Sequence, residues 1–382
     1  MGQSATSWRA VAAVIACLSV FDVTLGLTYP LLSLILEARG ISATWVGANA
    51  AMTPLGLALT APAVLPLARR VGSWRLALLC IGATAATLVL LRLSGDLRAW
   101  FLLRFVLGGA IGMLFALSEA WINALATEAT RGRIIGLYSS VLSLGFATGP
   151  FLLTWTGSAG WTPFVVALTF LALSIPPLLW AREAAPELAR EERASLGAFA
   201  SRAPTMLAAV AAFAIFDTAI MALFPVYALR HGMSEAAAAS AVGVLIVGNV
   251  VLQPVIGWIA DRWSRQGMLL CCALLTACGR ALVPAVMGSA MLWPLVLVWG
   301  AAGFGVYTMA LAELGARFSG PMVVAGAAAF TATWGMGGIV GPILGGSAMQ
   351  HFGPHGLPLM LGVTFLGLAA ILGARRSRVF AG

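Results

Sequence analysis

Long apolar segments alternate with short polar ones along the whole chain. We interpret twelve of the apolar segments as helices, six in each half of the sequence. Each approaches or exceeds the length of about 20 residues that a helix needs to cross the hydrocarbon core of a bilayer. The predicted helices span residues 9–36, 44–67, 76–93, 99–123, 134–155, 162–180, 204–229, 236–260, 268–287, 291–314, 323–349 and 357–374. The pattern therefore predicts an all-α membrane protein.

The composition supports the same interpretation. Apolar residues make up 61% of the 382 positions, and charged residues only 9%, against about 25% in soluble domains. So few charges cannot cover so much apolar surface in water. The composition thus excludes a soluble enzyme, a nucleic-acid-binding protein and a disordered chain.

The arginines predict how the chain is oriented in the membrane. All 22 basic residues are arginine, and with a cytoplasmic N-terminus 16 of them fall in inner segments. Only Arg39, Arg98 and Arg230 then fall in outer loops. This asymmetry follows the positive-inside rule and predicts a multi-pass protein of the cell (inner or plasma) membrane with both termini in the cytoplasm. The net charge of +9 is therefore assigned to topology and not to a nucleic-acid partner.

The two halves of the chain repeat each other. Asp22 follows a phenylalanine and is followed eight positions later by Pro30, and Asp217 and Pro225 have the same arrangement. Further matches are Gly40-Ile41-Ser42 with Gly232-Met233-Ser234, and Gly149-Pro150 with Gly341-Pro342. We predict two pseudo-symmetric six-helix bundles, 1–181 and 204–382, joined by a cytoplasmic linker, 182–203. Duplicated bundles of this kind are typical of transporters, whose substrate site lies between the repeats near mid-membrane.

Several motifs resemble the major facilitator superfamily, and in particular its YcaD-like bacterial subgroup. The segment 257–265 fits the family's loop signature G-x-x-x-D-R-x-x-R, whereas the corresponding loop of the first half has Arg69 in place of the acid. Arg104 and Gly108 match its R-x-x-x-G element, and 119–123 (Glu-Ala-Trp-Ile-Asn) is similar to the subgroup. Segment 337–346 resembles the family's antiporter element, although it lies in span eleven. The resemblance implies the family's twelve-helix fold, alternating access and, from the antiporter element, export.

Four of the charged residues within the predicted spans are candidates for a functional role. A charge at this depth costs about 2.5–3.5 kcal/mol on insertion scales, so each is a candidate functional residue. Asp22 and Asp217 are near mid-depth, where the charged form is disfavoured, and either could carry a proton; the alternative is a permanent pair with arginine or a cap at a kinked helix. Arg104 and Arg280 stay charged, so they can hold an anion or an aspartate but cannot shuttle protons. For Arg280 a structural ion pair is the favoured alternative.

A second group of charged residues lies near the predicted inner ends of the helices. Glu313 and Arg317 are four positions apart and share a helix face. We expect this group to form conformational latches, whose contacts exist in only one transport state. Its members are Asp261, Arg262, Arg265, Glu119, Glu313 and Arg317.

Polar and aromatic residues within the spans could line a water-filled cavity. Asn249 and Gln253 are four apart and form a polar stripe. The aromatic candidates are Tyr29, Phe224, Tyr227 and Trp334, with lipid-facing or packing positions as the alternative. Glycines at four-residue spacing are expected to let helices approach closely. These are Gly108/Gly112, Gly145/Gly149 and Gly337/Gly341/Gly345.

Together these features favour a secondary active transporter of a small organic solute, coupled to protons and exporting its substrate. Proton-coupled uptake of a metabolite, a channel or an intramembrane enzyme are the alternatives. The chain has no G-x-x-x-x-G-K loop for ATP, and its three histidines, His231, His351 and His355, are interpreted as solvated residues of outer loops. We expect no cofactor, no metal and no nucleic-acid partner; the expected partners are the substrate, protons and the bilayer, with the protein a monomer.

Overall fold

A computed structural model describes residues 8–126, 130–180 and 196–380. Over these residues the chain forms fourteen α-helices. In the first half they are α1 (Trp8–Ala38), α2 (Ala43–Thr60), α3 (Val64–Val71), α4 (Ser73–Leu93), α5 (Leu97–Leu125), α6 (Arg131–Thr156) and α7 (Thr162–Trp180). The second half gives α8 (Leu196–Arg202), α9 (Pro204–Arg230), α10 (Glu235–Arg262), α11 (Arg265–Val286), α12 (Leu292–Arg317), α13 (Pro321–His351) and α14 (Gly356–Phe380).

Twelve spans in the described part of the chain are long and apolar enough to cross a membrane. Eleven are single helices or parts of them, and the second is Ala43–Val71, in which α2, a 3₁₀ turn at Ala61–Ala63 and α3 follow one another. Helices satisfy every backbone hydrogen bond within the segment, which the hydrocarbon requires. The predicted all-α fold with twelve transmembrane helices is confirmed.

The sequence repeat recurs as a repeated turn. Gly40 ends α1 with a φ of 72°, and Gly232 ends α9 with a φ of 80°. In the first turn the amides of Gly40 and Ile41 donate to the carbonyls of Glu37 and Leu36, at 2.8 and 3.1 Å. In the second turn the amides of Gly232 and Met233 donate to the carbonyls of Leu229 and Ala228, at 2.9 and 3.2 Å. A positive φ of this kind favours glycine, because other side chains are strained there.

The chain divides into two compact units. The first comprises residues 1–32 and 52–191. Within it α4 packs along α5 and also contacts α7. Close approach of α2 and α5 depends on Gly108, where a methyl group would overlap the backbone of Thr53.

The second unit comprises residues 33–51 and 192–382. It is built from the helix pairs α9–α13, α10–α12 and α11–α14. The end of α1 and the start of α2 belong to it: a methyl group on Gly47 would overlap the carbonyl of Pro342, and one on Gly346 that of Ala43. Of the predicted linker 182–203, only the part from residue 196 onward, with α8, is among the described residues; the bundle boundaries stay a prediction.

Candidate functional site

Asp22 lies about midway along α1 and is enclosed by the first unit. The residue is 2% exposed, and its Oδ1 atom makes no hydrogen bond to the described residues. None of the ion pairs found among those residues includes it. A buried carboxylate without a counter-charge is rare and asks for a functional explanation. The alternative of a permanent pair with an arginine is therefore not what this structure contains.

Helix α6 packs on α1 beside this aspartate through two glycines. A methyl group on Gly145 would lie 2.5 Å from the carbonyl oxygen of Ser19 and 3.4 Å from Cβ of Asp22. One on Gly149 would overlap the backbone of Gly26 and Leu27. Only glycine permits this approach, so the glycine spacing brings α6 against the aspartate.

The second unit has the same arrangement around Asp217. This residue is midway along α9, and the indole Nε1–H of Trp334 donates a hydrogen bond to its Oδ2 at 3.3 Å. Trp334 is on α13, which packs closely on α9. A methyl group on Gly337 would lie 2.7 Å from Cβ of Ala214, and one on Gly341 would lie 2.6 Å from the carbonyl oxygen of Ile215. Each unit therefore holds a mid-helix aspartate against a glycine-bearing helix, and the predicted role of these glycines in helix packing is confirmed.

Arg104 is buried in the first unit without the partners that a guanidinium normally has. The residue is 1% exposed, and its Nε and Nη1 atoms have no hydrogen-bond partner within the described residues. It borders a cavity of about 10 Å³, room for about one water molecule. The other lining residues are Thr28, Tyr29, Leu32, Thr53, Leu107 and Ile111.

Of the predicted cavity residues, Tyr29 lines that cavity, and its ring meets the ring of Phe146 edge-on at 6.3 Å. Phe224 and Tyr227 are not among the residues that line the cavity beside Arg104; both are buried among the aromatic side chains of the second unit, 1% and 0% exposed. Phe224 stacks 5.8 Å from Tyr227 and 6.0 Å from Trp299. Burying these large apolar surfaces outweighs exposing them to a water-filled site.

The polar stripe on α10 is half-buried. The side-chain amide of Gln253 donates to the carbonyl of Ala301 on α12 at 3.1 Å, while its Oε1 atom is buried without a partner in the part of the chain described. Asn249 lies one turn away and is half-buried. The stripe therefore has acceptor capacity left over, as a polar substrate contact would require.

Arg280 takes a different position from the other three charged residues within the membrane. Its side chain is exposed, and its aliphatic stem packs over Gly362 of α14. The favoured alternative was a structural ion pair, but none of the ion pairs found within residues 8–126, 130–180 and 196–380 includes Arg280. Its place in the last third of α11 lets a long side chain snorkel toward the membrane surface.

The predicted latch residues of the second unit form local ion pairs. Arg317 pairs with Glu313, to which the side-chain amide of Gln266 on α11 also donates, at 3.0 Å. Asp261 pairs with Arg265 at 3.5 Å. The guanidinium of Arg262 lies 4.0 Å from the ring of Trp258. The pairing of Glu313 with Arg317 is confirmed; the latch role of the group, and of the exposed Glu119 on α5, stays a prediction.

Two features escaped the sequence reasoning. Asn49 is fully buried in α2, and neither polar atom of its side chain has a hydrogen-bond partner among the described residues. Glu37, at the end of α1, accepts two hydrogen bonds from Arg230, at the end of α9, at 2.7 and 2.9 Å. Both residues of this pair belong to the second unit. Because they are 193 positions apart, no local pattern points to their contact.

A duplicated, charge-poor helical fold with a mid-helix aspartate in each repeat, buried at Asp22 and half-buried at Asp217, defines a membrane transport protein. Comparison with protein families gives a match to the model of the Major Facilitator Superfamily over residues 12–323 and again over 239–379. The chain belongs to this superfamily and is a multi-pass secondary transporter.

Known relatives are also transporters. The chain is 27% identical over 377 residues to the MFS-type transporter YfkF of Bacillus subtilis, covering 94% of each chain. It is 25% identical over 279 residues to the MFS-type transporter YcaD of Shigella flexneri, covering 72% of each. The resemblance to the YcaD-like subgroup is thereby confirmed. Since these relatives are transporters and not enzymes, the alternative of an intramembrane enzyme is set aside.

Solved structures share the fold. A mutant of the nucleoside transporter NupG superposes with a TM-score of 0.77 at 14% identity, covering 96% of this chain and 99% of that one. A bacterial homologue of the human lysosomal transporter Spinster, in an inward-facing and unoccupied conformation, gives 0.69 at 15%, covering 98% and 96%. At these identities the likeness concerns the fold alone.

Proposed function

We propose that this chain is a proton-coupled antiporter that exports a small organic solute by alternating access, with Asp22 and Asp217 as the proton carriers. It acts as a monomer in the cell membrane with both termini in the cytoplasm. The observation that carries the proposal is the burial of Asp22 without a hydrogen bond on Oδ1 or a positive partner among the described residues.

A carboxyl group in this position can hold a proton in one conformation and release it in another. Enclosed in an apolar bundle it is most stable with a proton, since the ion would lose its hydration without compensation. Once a conformational change admits water, the charged form is favoured and the proton leaves. Proton coupling requires such an acid, alternately protonated and exposed to each side.

Asp217 and Arg104 complete the proposed site. The indole of Trp334 donates to Asp217 and would steady this carboxylate when its proton has left. Arg104 keeps its charge at all relevant pH values, and its unpartnered Nε and Nη1 atoms provide donors for an anionic or polar group of the substrate. Arg280 is left out of the coupling set because its exposed side chain lies over Gly362.

The direction of transport is proposed from the antiporter-like element at 337–346. Its glycines hold α13 on the helix that carries Asp217, where Gly341 faces Ile215 and Thr218. A proton entering at this carboxylate would therefore act directly on the contact between α9 and α13. Proton-driven uptake, the alternative, would use the same carboxylate and would differ in the direction of net flux.

The proposal is tested in two stages. A thermal-shift screen of the purified protein against metabolites and drugs first identifies a ligand, since binding to the native state raises the unfolding temperature. Transport of that ligand is then measured in proteoliposomes with an imposed pH gradient. We expect Asp22→Asn and Asp217→Asn to abolish gradient-driven transport, because a carboxamide cannot release a proton.

Asp96→Asn is the matched control. Asp96 caps α5 by accepting a hydrogen bond from the amide of Arg98 at 2.9 Å, a role that asparagine performs equally well. This variant should transport normally. Normal gradient-driven transport by both Asp22→Asn and Asp217→Asn would refute proton coupling at these residues, and accumulation of substrate against the expected direction would refute export.

A further inference from the structure

Two histidines that are distant in sequence meet at the ends of two helices of the second unit. His231 directly follows α9, and His355 directly precedes α14. Their ring centroids are 4.6 Å apart, and their Nε2 atoms are separated by 3.5 Å. His231 is half-buried and His355 exposed, so the pair is accessible from the side that the arginine pattern predicts to be extracellular.

Tyr227 contacts both rings and fixes the tautomer of neutral His231. The Nδ1 atom of His231 lies 2.8 Å from the carbonyl oxygen of Tyr227. A carbonyl only accepts, so Nδ1 carries the hydrogen, and the Nε2 atom of neutral His231 has a free lone pair. The Nδ1 atom of His355 lies 3.3 Å from the hydroxyl of Tyr227, which can accept from or donate to it. His355 can therefore also present an unprotonated Nε2 atom.

We propose that His231 and His355 form a binding site for a divalent transition-metal ion of the kind that imidazole favours, such as Zn²⁺ or Ni²⁺. Each ring contributes its Nε2 atom. Water or another exogenous ligand completes the coordination, because no group of three or more His, Cys, Asp and Glu side chains in the described residues is arranged to hold a metal. The site is independent of the proposed transport reaction.

The separation of the two nitrogens fits this role. At 3.5 Å the Nε2 atoms are too far apart for a strong hydrogen bond, whose usual length is about 2.9–3.0 Å. With Zn–N bonds of about 2.0–2.1 Å, the same separation corresponds to an N–Zn–N angle of about 113–122°, near the tetrahedral value. The rings are tilted by 46°. Directing both lone pairs at one ion needs a rotation of the exposed His355 side chain.

The surroundings support binding of a cation. Metal-bound histidines usually donate their second ring N–H to a carbonyl or another oxygen, and Tyr227 offers a carbonyl to one ring and a hydroxyl to the other. The adjacent charge of Arg230 is compensated by Glu37.

The experiment uses the full-length purified protein with any polyhistidine tag removed. Isothermal titration with ZnCl₂, and separately with NiCl₂, should give one ion per chain. We expect His231→Ala and His355→Ala each to weaken binding about 100-fold or more. Tyr227→Phe, which removes only the hydroxyl contact to His355, should weaken it about tenfold, the usual order for an outer-shell partner.

His351 provides the matched control. It is exposed at the end of α13, its Nδ1 atom contacts the carbonyl of Ser347 at 2.8 Å, and no hydrogen bond between described residues joins it to the pair. His351→Ala should bind within twofold of the unchanged protein. Thermal unfolding without metal verifies that each variant is folded. The proposal is overturned if the unchanged protein binds neither ion at millimolar concentration, if folded His231→Ala and His355→Ala bind like it, or if His351→Ala loses as much affinity.

Discussion

At the scale of single residues, Arg104 combines a permanent charge with nearly complete burial. Its Nε and Nη1 atoms have no hydrogen-bond partner among the described residues, so part of the cost of removing the charge from water is not recovered. An uncompensated buried charge lowers stability by several kcal/mol. Such a cost is expected where a charge serves binding or coupling and not folding.

Arg104→Met should accordingly separate stability from function. Methionine fills a similar volume without a charge, and replacing poorly compensated buried charges by apolar residues is neutral or stabilising by about 1–4 kcal/mol. We expect an unchanged or higher unfolding temperature by differential scanning fluorimetry, together with loss of ligand-induced stabilisation. Arg98→Met, six positions earlier on the exposed surface of α5, should leave the ligand response unchanged. A large fall in unfolding temperature for Arg104→Met would mean that the guanidinium is structural.

At the scale of elements, glycines determine which helix packs against each of the two helices that bear the aspartates. Gly145 and Gly149 bring α6 onto α1, and Gly337 and Gly341 bring α13 onto α9. In a membrane the interior is no more apolar than the lipid, so close van der Waals packing of small residues holds helices together. The sequence therefore specifies these contacts by the absence of side chains.

Gly149→Ala tests the contact between α6 and α1. A methyl group there would overlap the backbone of Gly26 and Leu27, so the helices must separate, at a cost of about 1–3 kcal/mol. We expect a lower unfolding temperature. Gly82→Ala is the control, because nothing lies within 4 Å of the added methyl group and alanine is the better helix former by about 1 kcal/mol. Equal effects of the two substitutions would contradict the assigned packing role.

At the scale of the whole molecule, the second unit includes a segment of the first half of the chain. Residues 33–51, which comprise the end of α1, the connecting turn and the start of α2, group with the second half. The bidentate contact between Glu37 and Arg230 is part of this grouping. Alternating access requires contacts that exist in one state and break in the other. We expect this pair to act as a latch at the predicted outer ends of α1 and α9.

Glu37→Gln should therefore lower the population of the state in which this contact is formed. A half-exposed ion pair contributes up to about 1 kcal/mol, which corresponds to roughly a fivefold change in the ratio of two states. Spin labels at Ile41→Cys and Met233→Cys, in a background without the five native cysteines, would detect the other state as a second, longer distance between the two labels. The double substitution Glu37→Arg with Arg230→Glu should restore the original distribution. An unchanged distribution in Glu37→Gln would show that the pair is not a latch.

The sequence alone determined the fold class and its duplication. Apolar runs of membrane-spanning length predict helices because the bilayer leaves the backbone no other partner, and the paired positions of Asp22 and Asp217 revealed the repeat. The family resemblance and the pairing of Glu313 with Arg317 also follow from local spacing. These features can be recognised from spacing within short segments and from the comparison of one segment with another.

Only the tertiary structure decided which side chains meet across long distances. Phe224 and Tyr227 lie in the core of the second unit, a position that the sequence left open. Burial depends on which helix face turns inward, and helices that are apolar all round leave that face unspecified. The same holds for the contact of Trp334 with Asp217, the ion pair of Glu37 with Arg230 and the meeting of His231 with His355. Each joins residues more than a hundred positions apart, and helix packing alone brings them together.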